Sequence, residues 1–419
     1  MASHLIHRLR ETRVLENYSF MTALSILSAL IGLVIYPFVI RMTGKEAYGT
    51  YVYAFTIATF FQVLLDYGFY SPCSKAIVEA REDLIERGRI VSSVLVLKAA
   101  FAAVCTLVFV GCLCFVPFMQ HNRWLCIMTF IQLIAQSLFP IWYFQGMKKM
   151  KWVTYINLSL RLATIPLIFW LVRSPQDISL YALIVMASIV IGTVVSYIYL
   201  FADGIRLQSV DAARLRLLMH DSTPFFATDL TGILKSLAIK TIIKHGFGVG
   251  EVAVYDLAEK IITIPRYFTQ NINTALFPEV VANATNDRVR RILKYERLIG
   301  AGFALLIAVL SYPAVLVLGG NAMLGAVYVT IMLSTTIYTW LVVGGYTNFV
   351  FIPAGKYYVI TLNQVVSLLS CVLFAFGGLC IWRDISMVAA GVMLSGFVEI
   401  VFCRLIIELI IRSRLHNGW

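Results

Sequence analysis

Apolar stretches of about 20 residues follow one another along almost the whole chain, parted by short polar breaks. As a helix rising about 1.5 Å per residue, each is long enough to cross about 30 Å of hydrocarbon. The pattern predicts twelve spans, at 18–40, 48–69, 90–119, 124–144, 152–172, 178–201, 224–243, 252–281, 298–318, 326–352, 358–381 and 385–409. The polar start, 1–17, is followed by an apolar run too long for a signal-peptide core and lacking a small-residue cleavage site, so a retained first helix is expected.

The breaks carry the topology. The longest, 70–89, 202–222 and 283–297, fall on one side, and short links such as 44–47, 121–123 and 246–251 fall on the other. Of 34 Lys and Arg, 21 lie on the first side, 6 on the second and 7 within spans. Positively charged loops stay inside, so both termini are expected in the cytoplasm. The central break predicts an N-terminal six-helix bundle at 1–201, a cytoplasmic linker at 202–222 and a C-terminal six-helix bundle at 223–419. Leu207, Val210, Leu215 and Leu218 among Arg206, Arg214 and Arg216 suit an interfacial amphipathic helix in that linker. Gly44, Tyr51 and Ala54 recur with the same spacing 204 residues later as Gly248, Tyr255 and Ala258, which suits two parallel repeats. The expected fold is an all-α integral membrane protein, with about 12 transmembrane helices in two six-helix bundles around a central cavity.

Composition narrows this further. Hydrophobic residues make up 60% of the chain and mean hydropathy is +0.84, leaving no expected room for a separate soluble domain. The net charge of +12 is a topology signal, aided by anionic membrane lipid, and no nucleic acid is implied. Eight cysteines form no CxxC pair and six histidines are scattered, so neither a metal nor a cofactor is expected. No phosphate-binding glycine loop or converging Ser/His/Asp set occurs, so the chain does not read as an enzyme.

Charges inside the spans change the picture most. Lys98, Arg161, Lys235, Lys240, Lys260, Arg266 and Arg404 would each cost about 2.5–3.5 kcal/mol facing lipid, so they must face one another or a watery cavity. In the eighth span Asp256, Glu259, Lys260, Thr263, Arg266, Tyr267, Gln270 and Thr274 form one polar stripe. The seventh span adds Asp229, Ser236, Lys240 and Lys244, with Lys235 turned away from them. Six bases (Lys98, Arg161, Lys235, Lys240, Lys260 and Arg266) against Asp229, Asp256 and Glu259 leave an excess of three, which favours an anionic cargo. The candidate substrate-binding residues are Arg161, Lys240, Lys260, Arg266, Tyr267, Gln270 and Lys98. Asp66, Asp229, Asp256 and Glu259 are the candidates for binding a coupling H⁺ or Na⁺. Against this stands simple neutralisation of Asp256 by Lys260 at i, i+4, and Glu399 and Arg404 read as snorkelling or packing groups.

Trp142-Tyr143-Phe144-Gln145-Gly146, the basic Lys148 and Lys149, and the later Asn157 and Arg161 resemble a signature segment of the bacterial polysaccharide (O-antigen) flippase family. That family lies within the multidrug, oligosaccharidyl-lipid and polysaccharide exporter superfamily. Tyr36-Pro37 with Arg41 and Gly44 to Gly49, Leu65 to Phe69, Ala275 to Pro278 and Pro353 to Lys356 are similar to further family segments. Lys148 departs from the pattern, since many relatives carry Glu there. The resemblance implies a flippase for an undecaprenyl-diphosphate-linked oligosaccharide repeat unit in the bacterial inner membrane, working by alternating access. It serves lipopolysaccharide or capsule-like synthesis and brings in contacts with polysaccharide polymerase machinery. The rival readings are a drug/cation antiporter of the same superfamily, which favours an acidic cavity, and a membrane polymerase or glycosyltransferase, which needs a longer external loop.

Overall fold

A computed structural model describes the backbone of residues 2–282 and 286–416, and the side chains of 31–32, 34–266, 291–356 and 358–409. Its regular structure is helical, with no strand among the described residues. The helices are α1 (Ala2–Asp66), α2 (Tyr70–Glu79), α3 (Leu84–Phe115), α4 (Pro117–His121), α5 (Arg123–Leu138), α6 (Ile141–Gly146) and α7 (Met150–Leu171). They continue as α8 (Ile178–Ala202), α9 (Ala212–Phe247), α10 (Val249–Ala282), α11 (Asn286–Gly319), α12 (Ala326–Tyr346), α13 (Tyr357–Ile381) and α14 (Ile385–His416). A π-helical turn, Thr347–Phe351, follows α12.

α1 is two helices joined at Gly44, whose φ of 77° and ψ of 165° break the helical path. The same device recurs at Gly248, with φ of 97°, immediately before α10. L side chains rarely adopt that backbone region, which is why glycine stands at both places. The residues that follow match as well, since Tyr51 and Ala54 are buried like Tyr255 and Ala258. The weak sequence repeat thus corresponds to repeated local structure.

Nine stretches of described residues are long and apolar enough to cross a membrane. Counting the two parts of α1 separately and adding α9 and α10 brings the long helices to the expected twelve. α9 and α10 fall short in apolar character because they carry the charges treated below. The three long polar breaks are more ordered than loops: α2 occupies half of the first, α9 begins inside the second, and α11 begins inside the third. Outward-facing Leu107 and Ile381 are 75% and 87% exposed, as lipid-facing side chains should be.

The chain divides into two compact units. The first comprises Met1–Ala47 and Ala54–Leu230; the second comprises Tyr48–Tyr53 and Thr231–Trp419. In the first unit, Phe69, Ile77, Val94, Trp142, Tyr143 and Leu200 belong to one buried cluster. In the second, Leu293, Val342, Tyr346, Phe351, Val359 and Ile400 belong to another.

Gly68 shows how tightly the first unit is built. Its φ is +69°, and a Cβ there would stand 2.7 Å from Phe226 N and 2.8 Å from Ser222 O on α9. Both the backbone region and the backbone contact resist a side chain. Gly68→Ala is therefore expected to destabilise by more than about 1 kcal/mol, seen as a lower unfolding temperature in detergent.

Candidate functional site

The charged groups of α9 and α10 meet within the second unit. Gly49 allows the chain to approach the start of α10, since a Cβ there would stand 1.9 Å from Val249 O. This close approach delivers Tyr48, whose hydroxyl donates to Asp256 Oδ2 at 3.0 Å. Lys260 Nζ donates to the same carboxylate oxygen and to Tyr48 Oη, and lies 5.0 Å from the centre of the Tyr48 ring. From α9, Lys240 Nζ stands 2.9 Å from Glu259 Oε2 and 3.6 Å from Asp256 Oδ1. Lys240 and Asp256 are 7% and 8% exposed. Two lysines and two carboxylates therefore neutralise one another, with Tyr48 bonded into the set. A buried charge is tolerable only with such partners.

A second ion pair lies in the same unit. Lys235 Nζ is 3.4 Å from Glu399 Oε1 and also donates to Ser395 Oγ at 3.0 Å and to Ser367 Oγ. Ser367 donates in turn to Glu399. Glu399 is thus half of an internal ion pair, not a snorkelling or packing group: five residues, about 140° of net rotation round α9, separate Lys235, which reaches α13 and α14, from Lys240, which faces α10. Arg404 Nε donates to Tyr346 Oη at 3.3 Å. Arg266 donates to the Thr336 hydroxyl on α12.

In the first unit, Lys98 is 3% exposed and its Nζ donates to Asp66 Oδ1 at 2.9 Å and to the Ser137 carbonyl. Ser137 Oγ donates to the same Asp66 oxygen at 2.6 Å. Arg161 stands near the middle of α7, exposed, with no ion pair to a described residue. Asp229 is exposed on α9. The signature segment is a structural latch: Tyr143 Oη donates to Asp203 Oδ2 at 2.6 Å, and Arg87 and Lys149 pair with the same carboxylate. Arg81 donates to the Gly146 carbonyl at 3.2 Å, and a Cβ on Gly146 would stand 2.7 Å from Ile77 Cγ2.

The charge balance of the spans shifts accordingly. Asp66 and Glu399 pair with Lys98 and Lys235, so two of the six bases summed from the sequence are cancelled and the excess among them falls from three to one. Lys98, Lys240 and Lys260 are neutralised where they stand. The side chains of Tyr267 and Gln270 lie outside the described residues. Tyr48, Ser137, Thr336, Ser367 and Ser395 are hydrogen-bond partners of the span charges that periodicity did not expose. Their positions in the sequence do not set them apart from neighbouring hydroxyls, and only three-dimensional proximity to a charge distinguishes them.

The polysaccharide biosynthesis protein family model matches residues 14–283. A protein of Escherichia coli (strain K12) named "Putative O-antigen transporter" is 24% identical over 286 residues, covering 66% of this chain and 69% of that protein. The structure of the lipid II flippase MurJ in an inward closed conformation aligns with a TM-score of 0.69 at 11% identity, over 93% of this chain and 87% of that one. An inward-facing multidrug resistance MATE family transporter of the MOP superfamily aligns with a TM-score of 0.66 at 13% identity, over 92% of this chain and 99% of that one. At such identities the structural likeness shows the fold. With about two thirds of its length matched by the family model, this multi-span membrane protein belongs to the polysaccharide biosynthesis protein family.

Proposed function

We propose that the protein is a flippase that carries an undecaprenyl-diphosphate-linked oligosaccharide repeat unit from the cytoplasmic to the outer face of the bacterial inner membrane. Both termini lie in the cytoplasm, and transport proceeds by alternating access. The relative named for O-antigen transport supports this cargo class. The observation that carries the reading is the cluster of two lysines and two carboxylates, Lys240, Lys260, Asp256 and Glu259, gathered within the membrane-spanning α9 and α10. Arg161, in mid-span without an ion pair to a described residue, is the group best suited to the diphosphate. Lys240 and Lys260 can contribute only when cargo phosphate displaces Asp256 or Glu259 from them.

A second reading draws on the reduced charge excess and on the likeness to a multidrug transporter, which together suit an exporter of organic cations. Deletion of the gene in its own bacterium separates the two. The flippase reading expects loss of surface polysaccharide and accumulation of the lipid-linked repeat unit. Unchanged surface polysaccharide with raised retention of a cationic dye would replace it by the second.

A further inference from the structure

Glu296 falls in the stretch 283–297, which the polar pattern presents as a cytoplasmic loop, yet α11 already begins at Asn286. The helix turns Leu293, Glu296 and Gly300 to one buried face. Glu296 is 1% exposed, and neither of its carboxyl oxygens has a hydrogen-bond partner. Its place is built by a missing side chain on α12: a Cβ on Gly345 would stand 2.0 Å from Glu296 Oε2 and 2.7 Å from Leu293 Cδ2.

The charged neighbours are directed elsewhere. Arg297 on α11 donates from Nη2 to Tyr346 Oη at 2.9 Å, and Arg404 on α14 donates to the same oxygen. On α12, Tyr346 is thus occupied by two guanidinium groups, and Tyr338 packs on the adjoining apolar cluster. On α10, Asp256, Glu259, Lys260 and Arg266 are engaged by Lys240, Tyr48, Thr336 and one another. An ionised carboxylate buried without a donor is far more costly than the neutral acid, which loses only ordinary polar solvation.

We infer that Glu296 is a proton-binding site, holding its proton while seated against Gly345 and releasing it when α11 and α12 part. On release the O–H bond breaks, its electron pair stays on the carboxylate, and the proton passes to water. Arg297, the next residue, then offers the new charge a partner. The π-helical turn Thr347–Phe351 lies two residues beyond Gly345, where a wider helical turn can rearrange with little loss of hydrogen bonding. Coupling of this proton to cargo movement rests on the transporter reading; the proton site itself does not.

Infrared difference spectra of the purified full chain, recorded across a pH titration, test the site through its protonated-carboxyl C=O stretch. Export by the same variants in the gene-deleted strain tests the coupling. Glu296→Gln should lose one protonated-carboxyl band and lose export at an unchanged protein level, since the amide matches the neutral acid in shape. Glu296→Asp should keep a shifted band and part of the export. An unchanged band pattern in Glu296→Gln overturns the proton site, and normal export by that variant overturns the coupling. If the wild-type gene restores no surface polysaccharide, the transporter reading fails, while the band still decides whether Glu296 holds a proton.

Discussion

Asp256→Asn is expected to cost about 3–5 kcal/mol, because it leaves buried Lys240 and half-buried Lys260 against one carboxylate instead of two. Lys260 loses its pairing with Asp256, and Tyr48 loses that carboxylate as its acceptor. Low protein levels and a depressed unfolding temperature in detergent should follow. Adding Lys260→Met to Asp256→Asn removes the second member of the pair and leaves Lys240 with Glu259 at 2.9 Å. The double variant should recover most of the lost stability, since deleting a whole buried pair costs far less than breaking it. Recovery of this size is the non-additivity expected of groups in one network. Export should nevertheless stay absent, because Lys260 is the cation that cargo phosphate would draw away from Asp256. Normal surface polysaccharide from the double variant would reduce the pair to a structural fastening.

The twelve helices were legible because lipid imposes a strong rule: every span must be apolar over about 20 residues. The breaks at Gly44 and Gly248 were legible for a related reason, since glycine marks backbone that other residues avoid. Helical periodicity also placed Asp256, Glu259 and Lys260 together on α10, and separated Lys235 from Lys240 on α9. What it could not supply was the identity of partners on other helices. Lys98 reads as a loose cation until Asp66, 32 residues earlier, is seen 2.9 Å away. Glu399 reads as a terminal snorkelling group until Lys235 is found beside it. Glu296 was hidden differently: a basic run surrounds it in sequence, and the polarity of Arg291, Lys294 and Arg297 disguises a helix whose other face is buried. Charge arithmetic over a sequence counts such groups without knowing which cancel, and so overstated the excess of bases.

Arg161→Ala is expected to abolish export while leaving protein level and unfolding temperature near those of the wild type. The structural side of this expectation rests on exposure, since Arg161 makes no ion pair with a described residue and its removal orphans no carboxylate among them. The functional side rests on its cost: an arginine in mid-span carries about 2.5–3.5 kcal/mol of unfavourable insertion energy, which α7 has no packing reason to bear. A charged hydrogen bond to phosphate is worth about 1.5–3 kcal/mol, so its loss corresponds to roughly 10- to 100-fold in cargo affinity. Arg161→Lys keeps the charge and loses the planar fork, and should restore export only in part. Arg266→Ala makes the informative comparison, because it also removes a hydrogen bond to Thr336 and should lower stability together with export. Quantified surface polysaccharide, set against protein level in the gene-deleted strain, distinguishes the two. Full export by Arg161→Ala would remove this residue from the path of the cargo and leave the diphosphate to the lysines of the second unit.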